Sequence, residues 1–207
     1  MFKIEDVMIT ELIDIKYNDV VKKEKITNFN FCNETIKLEK NIEIKECEFS
    51  GIIFDKEEIK FSNIEDVKFI NCDLSNISFI DTSFYRVRFE NCKLFGINFI
   101  DCNLDNAVIK DSLCNMSNIA GAKIINSKIC NSNFKDSRIM SCNFKKVIFD
   151  DINFINSEFI NTSLKNIDLS SCNIEKIKID LDSIKGAVVS FEQSLDLIGL
   201  LGIKIKE

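Results

Sequence analysis

The sequence predicts an all-β solenoid, a chain wound into narrow stacked coils with a helical cap, and three observations lead there. Counted in steps of five from Ile44 to Val189, all thirty positions are apolar. At 45 % apolar content an unbroken phase of that length has a chance probability on the order of 10⁻¹⁰. A second ladder runs two residues earlier: from Ser62 to Ile177 every fifth position holds Ser, Ala, Cys, Thr, Val or Ile. Finally, 207 residues contain six glycines and no proline, too few breakers for a conventional fold of about ten elements.

A period of five fits neither the 3.6 of a helix nor the 2 of a strand. A side chain that points inward at every fifth residue requires a chain that turns a corner every five. Each unit then supplies one small and one large inward residue, separated by a mostly polar position, and closes with two variable, mostly polar residues. Cys72-Asp73-Leu74-Ser75-Asn76 and Cys102-Asn103-Leu104-Asp105-Asn106 are clear copies. Equivalent positions stack on successive coils, whose backbones pair as strands do at about 4.8 Å spacing. The expected core ladder includes Phe69, Leu74, Phe79, Phe84, Phe89, Leu94, Phe99, Leu104, Phe134, Phe144, Phe149, Phe154 and Phe159. Coils contact only their neighbours, so both open ends need caps.

Taken in order, residues 1–43 read as an N-terminal cap, with Phe29 and Phe31 in a first irregular coil, and residues 44–189 as the repeat region. Residues 190–207 read as a C-terminal capping helix and tail. There, Ser190-Phe191-Glu192-Gln193 is a capping box. Phe191, Leu195, Ile198 and Leu201 follow at helical spacing, Leu197 and Leu200 lie off that stripe, and Gly202 is the stop. Ile203-Lys204-Ile205-Lys206 alternates like a short strand. A helix apolar on more than one face calls for a partner, so Phe191, Leu195, Leu197, Ile198, Leu200 and Leu201 are the expected contact of a tail-to-tail homodimer.

The same composition narrows the chemistry. There is no histidine, which removes imidazole nucleophile systems, general bases and metal ligands. No phosphate-binding loop, nucleophile motif or paired-carboxylate site is present, so a non-enzymatic protein without cofactor or metal is expected. Of nine cysteines, Cys32, Cys47, Cys72, Cys92, Cys102, Cys142 and Cys172 fall in the phase of the small ladder, Cys114 replaces a large central residue, and Cys130 lies elsewhere. With no CxxC pair they read as small buried hydrophobes. No apolar run is long enough to span a membrane. The acids in Met1-Phe2-Lys3-Ile4-Glu5-Asp6 are unlike a signal peptide; the expected location is cytoplasmic, with reduced thiols.

The tandem small–(Asp/Asn)–(Leu/Phe)–x–x unit resembles the pentapeptide-repeat family. The resemblance implies a right-handed quadrilateral β-helix with four five-residue faces per coil. The tail, through Gln193-Ser194-Leu195 and Leu201-Gly202-Ile203, is similar to that of the quinolone-resistance group of the family. It implies a dimer that binds DNA gyrase or topoisomerase IV as a DNA mimic and protects from quinolones. A scaffold or adaptor, or an immunity factor against a gyrase-directed toxin, are the alternatives.

Mimicry needs a column of negative charge. With four faces per coil, the column through Phe79, Phe99 and Phe159 carries Glu57, Glu58, Asp81, Asp101, Glu158 and Asp180 against Lys60, Arg138 and Lys178, and is the expected partner-binding stripe. The net charge of −6 argues against direct nucleic-acid binding.

Overall fold

Four flat faces, each five residues long, repeat every twenty residues in a computed structural model that describes residues 2–20, 25–38, 41–55 and 58–202. On the first face Ile44 pairs in parallel with Ile64, then Phe84, Leu104, Ile124 and Phe144. On the second, Phe49 leads to Phe69, Phe89, Ile109, Ile129 and Phe149. On the fourth, Ile59 leads to Phe79, Phe99, Ile119, Ile139, Phe159 and Ile179. Each of these pairings joins residues twenty apart, so the period of five becomes a vertical stack of identical positions.

The third face turns more tightly. Its successive coils meet through single bridges such as Asp73 to Lys93 and Lys93 to Leu113. After each central residue the chain closes a turn: Ile77 N–H donates to Leu74 O, Ile97 to Leu94 and Ser137 to Phe134. The third residue of those turns has positive φ at Asn76, Gly96 and Asp136, the geometry of a type II turn. The polar residue between the ladders caps it, as Asp73 Oδ1 does by accepting from Ser75 N–H at 3.0 Å and Asn153 Oδ1 from Ile155 N–H at 3.1 Å.

The corners explain the scarcity of glycine. The second variable residue of each unit adopts the left-handed conformation, and it is mostly Asn or Asp: Asn71, Asp81, Asn91, Asp101, Asn106, Asp111, Asn126, Asn131 and Asp151 all have φ near +50°. These two side chains tolerate that region better than other non-glycine residues. Gly121 takes the position where a Cβ would stand 2.0 Å from Asp101 Oδ1 on the coil below.

Inside, the large ladder stacks. Phe31, Phe49, Phe69 and Phe89 form one column with ring centroids 5.0, 5.2 and 4.9 Å apart, and Phe79 meets Phe84 edge-on across the coil at 5.0 Å. Phe144 departs from the expectation of a sealed core. It is only partly buried, and the flanking Asn143, Lys145 and Lys146 are exposed. In the small ladder the polar members are satisfied: Ser132 Oγ donates to Cys130 O at 2.8 Å and accepts from Ser112 N–H at 3.1 Å. Cys92 Sγ donates to Phe69 O at 3.3 Å.

The coil begins earlier than the unbroken ladder does. Ile26 pairs with Ile44, Phe31 with Phe49 and Ile36 with Phe54, an offset of eighteen rather than twenty. This first coil is two residues shorter than those that follow, so the period is shifted by two and disappears from the main count. The shift also corrects Cys32. It pairs with Ser50, beside a central residue, and is half-exposed rather than on the small ladder. The open end is covered by Ile13–Asp14, which adds a strand to Phe29–Cys32, and by Tyr17, buried edge-on against Phe31 at 5.6 Å.

At the other end Asp180 caps a short helix, Leu181–Ile184, and Ser190 caps Phe191–Ile198 with the capping box closed in both directions. A 3-10 turn at Gly199–Leu201 ends at Gly202, left-handed at φ +70°. The alternating tail 203–206 lies outside the described residues.

Candidate interaction surfaces

The expected acidic column lies on the fourth face, and its charges are largely engaged. Glu58 meets Lys60 at 2.6 Å. Glu158 meets Lys178 at 2.7 Å and Arg138 at 3.4 Å, and the Lys178 ammonium holds its carboxyl below the usual carboxylate range. Asp180 accepts from Ser183 Oγ at 2.7 Å, Ser183 N–H at 2.8 Å and Asn161 N–H at 2.9 Å. It is held low in the same way, first by the Ser183 hydroxyl. Asp81 and Asp101 stand exposed at left-handed corners. Glu57 lies outside the described residues. Bases placed twenty residues from acids are neighbours on this face, and counting a column does not show that they pair.

A more uniform acidic surface lies elsewhere. Along the corner between the second and third faces, a groove of about 780 Å³ runs up to the capping helix. Among the described residues its lining holds five acids, Asp111, Asp151, Glu175, Glu192 and Asp196, and no base. Lys110 and Lys176 pair with Asp111 and Glu175 from its rim, at 3.6 and 3.0 Å. Grouping the sequence by face missed it, because these acids come from two faces and the cap. The available signal was the row of corner residues Asp111, Asn131 and Asp151 at twenty-residue spacing.

The capping helix is oriented by Gln193. Its side-chain amide donates to Leu169 O at 2.9 Å and Cys172 O at 2.6 Å, carbonyls of the last coil. One turn on, Leu197 therefore faces inward and packs against the core. Of the six residues expected in the dimer contact, Leu197 therefore belongs to the cap contact instead, while Phe191, 75 % exposed, and Leu195, 42 % exposed, point away from the core. Leu200 is also exposed and Ile198 half-buried. The side chain of Leu201 lies outside the described residues.

The thiols are buried and free apart from half-exposed Cys32. Burial pushes Cys47 and Cys142 up to about 11 and Cys102 up to about 12, which suits packing and not reactivity. Among the described residues no group of His, Cys, Asp or Glu is arranged to hold a metal ion, and no helix is long and apolar enough to cross a membrane.

A twenty-residue coil with a left-handed corner every five residues defines a solenoid of tandem five-residue repeats. The sequence matches the family described as "Pentapeptide repeat region" over residues 41–122 and 62–138, and "Pentapeptide repeats (8 copies)" over 137–175. The chain belongs to the pentapeptide-repeat family. Among solved structures it is similar to full-length QnrB1, described as a plasmid-mediated fluoroquinolone resistance protein. The identity is 19 %, over 92 % of this chain and 95 % of that one, with a TM-score of 0.37. A trypsin-treated variant of QnrB1 aligns at 19 % identity over 96 % and 98 %, with a TM-score of 0.42. The pentapeptide repeat protein Rfr23 from the cyanobacterium Cyanothece 51142 aligns at 14 % over 81 % and 92 %, with a TM-score of 0.25. No curated protein sequence matches the chain.

Proposed function

We propose that this protein is a non-enzymatic, dimeric rod that binds a type II topoisomerase, DNA gyrase or topoisomerase IV, and offers its acidic groove in place of DNA. The observation that carries this reading is the groove from Asp111 to Asp196, whose lining among the described residues holds five acids and no base and which ends on the capping helix. A tail-to-tail dimer brings two such grooves toward one axis and lengthens the acidic surface facing a basic DNA-binding channel. The tail resemblance in Gln193-Ser194-Leu195 and Leu201-Gly202-Ile203 points to the same partner.

A supercoiling assay with the purified protein, with and without a fluoroquinolone, tests the function. Inhibition of gyrase at high protein, or relief of drug-induced cleavage, is expected. Absence of both, together with no retention on immobilised gyrase or topoisomerase IV, eliminates the reading. Asp151→Lys with Glu175→Lys is expected to weaken the effect at least tenfold. The ion pairs that neutralise the fourth face favour a second reading, a scaffold whose flat faces bind another protein; an effect indifferent to the groove substitutions supports it.

The dimer has its own test. Phe191 and Leu195 are one helical turn apart and both exposed, so Phe191→Asp plus Leu195→Asp is expected to give a monomer by light scattering with an unchanged β-sheet spectrum. An unchanged dimer places the contact elsewhere.

A further inference from the structure

The segment before the first coil does not stay at its own end of the rod. Residues 2–10 run along the corner between the first and second faces, against coils more than a hundred residues away in sequence. Met8 N–H donates to Asp66 Oδ1 at 2.9 Å, and Glu5 N–H donates to Asn106 Oδ1 at 2.8 Å. Phe2 lies beside Phe144, Lys145 and Lys146. Residues 66, 106 and 146 occupy the same corner two coils apart; the first two bond residues 8 and 5, and the third lines one pocket with residue 2. Three residues of extended chain span about 9–10 Å, and two coils span about the same. The strap and the rod are commensurate: each third residue of an extended peptide comes to a corner side chain.

Charge completes the fit. Arg86 is bound to Asp66 by two hydrogen bonds, Nε at 2.7 Å and Nη2 at 2.6 Å, and its Nη1 lies 3.5 Å from Glu5. Tyr85 donates its hydroxyl to Glu5 at 3.0 Å. Arg88 donates to Glu5 O, to Asp6 Oδ1 at 3.2 Å and to Asn106 O at 2.8 Å. The two arginine side chains are 9 % and 8 % exposed, whereas those of Glu5 and Asp6 are 56 % and 85 % exposed. No residue from 2 to 12 is fully buried. The strap thus leaves without opening the core, and its departure takes from Arg88 the Asp6 carboxylate and the Glu5 carbonyl, leaving the Val87 and Asn106 carbonyls and the charge of Glu90, and a guanidinium free to bind another carboxylate.

We propose that this corner, Asp66, Arg86, Arg88 and Asn106, is a docking groove for an extended acidic segment of a partner protein. Residues 4–8 occupy it as a built-in pseudo-ligand. The partner segment carries two adjacent carboxylates followed by apolar residues, the chemistry of Glu5-Asp6-Val7-Met8. Its backbone N–H groups are read three residues apart by Asp66 and Asn106, and its carboxylates by Arg86 and Arg88. Because the tethered strap is present at high effective concentration, the groove is closed until a partner outcompetes it. The groove is separate from the acidic one and does not depend on the topoisomerase reading.

The probe is a fluorescein-labelled peptide with the sequence of residues 2–10, and the host is the full chain carrying Glu5→Lys and Asp6→Lys, which repels the strap. Fluorescence anisotropy is expected to show saturable binding to this variant and at least tenfold weaker binding to the unaltered protein, whose own strap competes. Adding Arg88→Gln, or replacing the peptide's two carboxylates by amides, is expected to weaken binding at least tenfold. No saturable binding to a variant with unaltered circular dichroism and melting, or binding indifferent to Arg88→Gln, overturns the proposal. If the variant does not fold, amide exchange of the unaltered protein decides. Glu5 and Met8 amides are expected to exchange at least tenfold faster than that of Phe69. Equal rates would mean the strap leaves only when the rod unfolds, and overturn the proposal.

Discussion

Phe89→Ala is expected to cost about 3–5 kcal/mol, the range for truncating a buried aromatic. The ring is fully buried, stacked on Phe69 at 4.9 Å, with Phe84 and Phe99 at 6.2 and 6.3 Å. The backbone at Arg88 to Glu90 pairs with coils on both sides, at Lys68 to Ile70 and at Val108 to Lys110. The void therefore cannot be closed by a shift of one strand. Guanidinium denaturation of the variant measures the loss, and Phe144→Ala, at a partly exposed position, should lose distinctly less. A near-neutral Phe89→Ala would contradict the stacking.

Arg86→Ala is expected to cost about 3 kcal/mol at neutral pH, because breaking one side of a buried pair leaves the other charge uncompensated. Asp66 is 2 % exposed. Burial alone raises its pKa, but the Arg86 hydrogen bonds, the Met8 N–H and the Arg86 charge outweigh it and hold the carboxyl below its ordinary 3.8. A depressed folded pKa stabilises fully above the unfolded value and loses that contribution as pH falls through the folded one. In the variant, burial acts unopposed by Arg86 and favours the protonated acid. The stability difference between the two proteins should therefore be largest at neutral pH and shrink below about pH 4. Asp66→Asn added to Arg86→Ala should recover part of the loss, since Asn accepts the left-handed φ of +54° at this corner. A pH-independent difference would refute this assignment of the pair.

How much was legible follows from what each feature depends on. The core from Ile44 to Val189 was readable because every unit repeats the same geometry, so a one-dimensional count coincides with a three-dimensional stack. The capping box was readable because Ser190 and Gln193 act within one helical turn. The first coil was not, because an offset of eighteen rather than twenty moves Ile26, Phe31 and Ile36 out of phase without altering how they pack. The direction of the capping helix was also hidden. Apolar residues on two faces do not say which is inside; Gln193 decides it by reaching carbonyls more than twenty residues earlier. The charge count of the fourth face included Lys60, Arg138 and Lys178, but not that Glu58 and Glu158 lie within ion-pair distance of them.

Period, residue size and residue type determined by themselves that this chain winds with a corner every five residues; that four such sides close one coil was implied by the family resemblance and is decided by the pairing of residues twenty apart. They also placed most of the thiols inside the coil. The tertiary structure alone decided what the surface is. Corners bring together residues twenty apart and from adjoining faces, so the acidic groove and the arginine-lined strap site depend on neighbours that sequence distance conceals. The strap is the extreme case: Glu5 and Asn106 are 101 residues apart, and only the match between three extended residues and two coils joins them.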